Sequence, residues 1–154
     1  MKQHSIEAHA GMIHGLAHSC AMNLLATTGH DGFTRFWDMR SVGEGVSHII
    51  NLNQIGSSVC WNGNDIHCNE IIVGLEDGNL KIYDIRNCCE ALNTFSLNPV
   101  RIRKIITVES MSNTLLCGLE VNSMILSYNL YIYSSHIYCV KSFCFIKYAG
   151  LVSG

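Results

Sequence analysis

From Gly11 to Leu130 the chain alternates short apolar runs with polar breaks. The runs are "MIHGLAH", "NLLATTG", "FTRFWDM", "SHIINL", "SSVCWN", "EIIVGLE", "NLKIYDI", "TFSLN", "RKIITVE", "TLLCGLE" and "SMILSYNL". Each has strand length, roughly 5–8 residues, and Asp-Gly, Asn-Gly or Asn/Ser breaks separate several of them, as antiparallel hairpins require. No segment sustains a 3.6-residue period, so no amphipathic helix is predicted. The pattern is that of an all-β chain.

The runs also repeat. "LLATTGHDGFTRFWDMR", "IIVGLEDGNLKIYDIR" and "LLCGLEVNSMILSYNL" each read as an apolar strand, a polar turn and a second strand closing on aromatic-Asp/Asn-apolar. The closing aromatics are Trp37, Tyr83 and Tyr128, spaced 46 and then 45 residues apart. A period of about 40–45 residues with four strands each marks the blades of a β-propeller. The expected layout is a partial propeller over residues 1–130, with blades at roughly 8–53, 54–98 and 99–130, followed by a hydrophobic, atypical tail at 131–154.

The first copy resembles a WD40 repeat. Ala8-His9 stands where that family usually has Gly-His, Trp37-Asp38 matches its terminal dipeptide, and the 28 residues from His9 to Trp37 fit a repeat without insertion. The resemblance implies a buried structural tetrad of His9 before the first strand, Thr27 on the second, Asp31 in the turn and Trp37 on the third. Such a chain would satisfy the indole N–H of a packed Trp and the oxygens of a buried carboxylate. A hydrolase using the same His9, Thr27 and Asp31 as a nucleophilic set is the alternative. It leaves Trp37 unexplained and lacks the strand–turn–helix elbow that exposes a nucleophile. The second copy retains Asp77 but has Val73 in the Thr position. The third has Asn122 in the Asp position and a turn expected to be one residue longer.

Composition narrows the function. A hydrophobic fraction of 48%, a charged fraction of 14% and a net charge of −2 describe a folded chain with no general electrostatic pull towards nucleic acid or anionic membrane. The basic run "RIRK", Arg101 to Lys104, alternates with apolar residues and reads as a strand with a solvated face. The eight cysteines include no Cys-x-x-Cys, and the opening residues lack an apolar signal-peptide core. An intracellular protein, cytoplasmic or nuclear, with reduced thiols is expected. Histidine pairs such as His14 and His18 lack the further ligands that zinc takes, and no phosphate-cradling loop is present, so neither metal nor cofactor is expected.

What remains is a non-catalytic scaffold that binds other proteins, as the family resemblance implies. A narrower reading comes from "WDMR" and "YDIR", which place Arg40 and Arg86 two residues after Asp in consecutive copies. This resembles the box by which substrate receptors of cullin-4 ubiquitin ligases engage the ligase's adaptor, and it makes the two arginines candidate partner-binding residues. The plainer reading is that each arginine caps a strand end. Three repeats fall short of the roughly 4–8 blades that close a ring. The chain therefore reads as a fragment of a longer propeller, or as an arc completed by missing blades or by oligomerisation. "MKQHSIEAH" would then be the last strand of a preceding blade, and the tail an aggregation hazard.

Overall fold

The computed structural model describes residues 5–41, 43–62, 69–97, 99–107, 114–121, 124–133 and 136–142. Twelve strands and no helix occur among them. The first sheet is β1 (Ile13–Ser19), β2 (Leu24–Gly29), β3 (Phe33–Asp38) and β4 (His48–Asn51). The second is β5 (Gly56–Asn62), β6 (Glu70–Leu75), β7 (Asn79–Asp84) and β8 (Asn93–Ser96). The third is β9 (Ile102–Thr107), β10 (Thr114–Val121), β11 (Met124–Tyr133) and β12 (His136–Ser142). Strands are hydrogen-bonded in chain order within each sheet, and every pairing is antiparallel. The fold is thus all-β and built from four-stranded antiparallel blades, part of a propeller rather than a closed barrel.

Local chemistry sets the hairpins. In both the β2–β3 and β6–β7 turns a glycine takes the left-handed conformation, Gly32 at φ 78° and Gly78 at φ 84°, where a Cβ would be strained. The preceding aspartate closes each turn, because Asp31 Oδ1 accepts from Phe33 N–H at 3.3 Å and Asp77 Oδ1 from Asn79 N–H at 3.0 Å. The third hairpin departs from expectation. Its strands pair out to Val121↔Met124, so the connection is tighter, not one residue longer. Asn122 itself lies outside the described residues. The outer strand of the third sheet comes from beyond residue 130, since β12 pairs with β11 from Tyr133↔His136 to Ser127↔Ser142.

A four-stranded sheet buries its faces only against neighbours, and here the sheets stack face to face. Alternation along β2 and β3 sends Ala26, Thr28, Thr34 and Phe36 towards the second sheet. There Phe36, Ile50 and Leu52 pack with Val59, Trp61, Ile71, Val73, Leu75 and Tyr83. The opposite face of the second sheet, with Ile72, Leu80 and Ile82, packs on Ile102, Ile105, Cys117 and Leu119 of the third. Strand β1 lies beside β5, and β5 beside β9, so the first strands of the three sheets gather along one edge. Contact there is close. A Cβ on Gly15 would meet Val59 N at 2.9 Å, and one on Gly74 would meet Ile102 Cγ2 at 2.8 Å.

Gly56, at the entry to β5, is the tightest point. A Cβ there would overlap Thr28 Oγ1 of the first sheet and meet Leu52 Cδ1 at 2.8 Å. Gly56→Ala is expected to destabilise the chain by about 1–3 kcal/mol through overpacking between the first two sheets. Because Thr28 is the obstacle, Thr28→Ala should cost less in the Gly56→Ala background than alone. Urea denaturation of the two single variants and the double variant measures that coupling.

Candidate functional site

Each of the four tetrad candidates is placed by a different piece of the first sheet. Thr27 is central in β2, Trp37 near the end of β3, Asp31 in the turn between them, and His9 in the segment before β1. Thr27 pairs with Arg35 across the β2–β3 ladder and Leu25 pairs with Trp37, so these four share one face of the sheet. That face points away from the second sheet.

One hydrogen-bonded chain runs through the four. Trp37 Nε1–H donates to Thr27 Oγ1 at 3.0 Å, and Thr27 Oγ1 lies 2.9 Å from His9 Nε2. His9 Nδ1 lies 2.8 Å from Asp31 Oδ1. His9 Nδ1 is also 2.7 Å from Arg35 Nη1, so the ring nitrogen sits between a carboxylate that only accepts and a guanidinium that only donates; donation from Nδ1 to Asp31 leaves Nε2 to accept the threonine hydroxyl. The other acceptor within reach of that hydroxyl, Arg35 O, is 3.5 Å away and a poorer choice. The His9 side chain is fully buried, and Thr27 and Trp37 are buried too.

Arg35 is a fifth member, one that the repeat motif does not mark. Its guanidinium donates to Asp31 Oδ2 at 2.7 Å and lies over the Phe33 ring, 5.0 Å from the centroid. Strand alternation was the available signal, since Arg35 stands two residues before Trp37 on the same face. Burial by itself would raise the pKa of the Asp31 carboxyl. Hydrogen bonds from His9, Arg35 and the Ala10 backbone N–H outweigh that and hold it well below the usual carboxylate range. In chemical terms Thr27 has no opening to act as a nucleophile. Its oxygen is enclosed, and its lone pair and proton are both engaged.

Arg40 and Arg86 occupy equivalent positions in consecutive sheets and adopt the same geometry. Arg40 Nε donates to Asp38 Oδ1 at 2.9 Å, and Arg86 Nε donates to Asp84 Oδ1 at 2.9 Å. The backbone N–H of each arginine caps the same aspartate at 2.9 Å. The arginine bonds hold both carboxyls down to a pKa of about 2. Both arginine side chains are largely exposed, 69% and 70%. The structure keeps Arg40 and Arg86 apart from the tetrad, in the turns that follow β3 and β7.

Among the described residues no group of three or more His, Cys, Asp or Glu could hold a metal ion. His14, considered with His18, instead meets the ring of His30 edge-on with centroids 6.0 Å apart.

The family model for WD40, described as WD domain, G-beta repeat, matches residues 1–38. The match covers His9, Thr27, Asp31 and Trp37 together and ends at Asp38. No curated protein matches the chain. Residues 1–38 are therefore similar to a WD40 repeat, and the three four-stranded antiparallel sheets are consistent with blades of that kind.

Removing the hub of the hydrogen-bonded chain strands two buried groups, the Trp37 indole N–H and His9 Nε2. Thr27→Val keeps the shape, so a loss of about 1–3 kcal/mol in chemical denaturation is expected from the orphaned partners alone. The pH dependence follows from Asp31. Its pKa is lower in the folded chain than the ordinary 3.9, so its contribution is complete above about pH 4 and is lost as pH falls below that value. Thermal melts between pH 6 and pH 2.5 should show stability falling below pH 4, and Asp31→Asn should flatten that limb.

Proposed function

We propose that this chain is a non-catalytic scaffold segment that binds other proteins through the turns and strand ends of its WD40-type blades, inside the cell. WD40 domains generally bind other proteins, and the first repeat is of that kind. The observation that carries the non-catalytic part is the state of the tetrad. Every polar atom that could do chemistry, on Thr27, His9 and Asp31, is consumed in holding Trp37 and the β2–β3 turn. Rigid sheets with connecting turns at their ends suit presentation of short polar segments to a partner. Cross-linking mass spectrometry on the tagged chain in cells tests the proposal. Stoichiometric partners cross-linked to the inter-strand turns support it, and recovery of the chain without such partners overturns it.

A second, narrower reading has its own observation. Arg40 and Arg86 repeat one geometry on neighbouring blades, with both guanidinium groups exposed. Two exposed planar forks suit docking onto carboxylates or backbone carbonyls, the chemistry expected of an adaptor of a cullin-4 ligase. Each arginine is already paired to its own aspartate, but an exposed pair contributes little and exchanges partners easily. Purified adaptor should bind the wild-type chain and lose at least tenfold in affinity to the Arg40→Asp/Arg86→Asp variant. Equal binding by both chains, or no binding by either, removes this reading while leaving the general one intact.

A further inference from the structure

We propose that His14, His30, Arg101 and Arg103 form a binding site for a phosphate group at one end of the edge where β1, β5 and β9 gather. The inference starts from the strand registers. In each sheet the first strand carries a bulge near its start, and the ladder skips one residue there. The skipped residues are His14 between Ile13↔Gly29 and Gly15↔Thr28, Ser57 between Gly56↔Leu75 and Ser58↔Gly74, and Arg103 between Ile102↔Leu119 and Lys104↔Gly118. A bulge releases a residue from the alternation of its strand and re-aims its side chain. Three equivalent positions on adjacent strands therefore hold a histidine, a serine and an arginine.

The middle position serves the fold. Ser57 is buried, and its Oγ lies 2.7 Å from Ile102 O and 3.0 Å from Gly74 O, so it ties the second sheet to the third. The outer two stay accessible, His14 half-buried and Arg103 exposed. Each has a further basic neighbour. The His30 ring, from the β2–β3 turn, meets the His14 ring edge-on at 6.0 Å, and the His30 backbone N–H donates to Met12 O at 2.9 Å. Arg101 stands just before β9, and its Nε is shielded from solvent with no hydrogen-bond partner among the described residues. A shielded guanidinium N–H without an acceptor is costly, and an anion's oxygen is an acceptor that suits it.

The charges of the first and third sheets meet at His14. Burial is the largest cause lowering its pKa from the ordinary value, and Arg101, His30 and then Arg103 add to it, while Glu76 in the β6–β7 turn opposes them. Two arginines, which keep their charge at every relevant pH, outnumber one carboxylate, so the set repels a metal cation and attracts an anion. Guanidinium forks and ring N–H groups are the donors that hold a tetrahedral oxyanion. An anion seated there reverses the field at His14 and favours its protonation. Binding therefore takes up a proton and strengthens as pH falls through the histidine range.

NMR titration of the 154-residue chain with sodium sulfate, against sodium chloride of equal ionic strength, tests this. Sulfate mimics phosphate and keeps its charge across the pH range used. The Cε1–H signals of His14 and His30 should shift saturably with one affinity, and that of His18, at the far end of β1, should stay in place. Binding should be roughly threefold tighter or more at pH 6 than at pH 7.5. Arg101→Gln, and Arg103→Gln at an exposed position, should each weaken it about fivefold or more, and Glu76→Gln should not weaken it. Inorganic phosphate and a peptide carrying one phosphoserine are then compared at pH 7.5. Tighter binding of the peptide assigns the site to phosphate displayed on a protein segment, and equal or weaker binding assigns it to the free ion; both support the site. No saturable shift with sulfate or phosphate, an affinity that does not rise at pH 6, or unchanged binding by Arg103→Gln overturns the proposal. The site is separate from Arg40 and Arg86 in the turns after β3 and β7, so its failure leaves the scaffold reading as it stands.

Discussion

Face-to-face burial between sheets is the constraint from which the rest of this structure follows. A four-stranded antiparallel sheet has no interior, and its hydrogen bonds within the plane do nothing for its two faces. The stabilisation comes from layers such as Phe36, Ile50 and Leu52 against Trp61, Ile71 and Val73, where the Phe36 and Trp61 rings approach to 5.8 Å. Such burial contributes on the order of 1.5–3 kcal/mol for each large side chain. The same constraint explains the glycines at the gathered edge. Gly15, Gly56 and Gly74 stand where one sheet's backbone or hydroxyls approach another too closely for a Cβ.

Successive sheets solve the same positions with different chemistry. The first uses polar groups, with Thr27 and Trp37 satisfied by His9 and Asp31. The second replaces them with Val73 and Tyr83, whose face is buried apolar surface, and moves its polar links to other places. Trp61 Nε1–H donates across the sheets to Ala17 O at 3.3 Å, and the Ser57 hydroxyl sits 2.7 Å from Ile102 O of the third sheet. Asp77 keeps the local half of Asp31's work, closing its turn, and makes none of the long-range bonds among the described residues. A polar chain is therefore one route to a well-fixed blade and not a requirement. The position open to the solvent side of the stack is the one that uses it.

That difference governs how much was legible in the residues. The first repeat could be read almost completely, because His9, Thr27, Asp31 and Trp37 are specific types at specific separations and one hydrogen-bond pattern uses all four. Strand order and turn placement were legible from alternation and from Asp31-Gly32 and Asp77-Gly78. The inter-sheet bonds of Trp61, Ser57 and Lys81 were not, since each reaches a backbone carbonyl, which any residue supplies. Arg35 was legible in principle but looked like an ordinary solvated strand residue. The third hairpin misled because "GLE" in two copies suggested equal registers. Pairing followed the apolar positions instead and ran on to Val121↔Met124.

Specificity and binding strength are carried by different parts of such a chain. The Asp38–Arg40 and Asp84–Arg86 pairs join residues two apart in sequence, with the arginines exposed, so they hold their geometry locally. They can direct a partner's orientation, but a solvated ion pair adds little affinity. The open face of the first sheet has the reverse character. It offers apolar area through Leu16, Ile13 and Ile49 and few polar groups to discriminate among occupants, since Arg35 and Asp31 satisfy one another. In this fold the apolar face and the exposed arginines lie apart, the one on a sheet face and the other in the turns after β3 and β7.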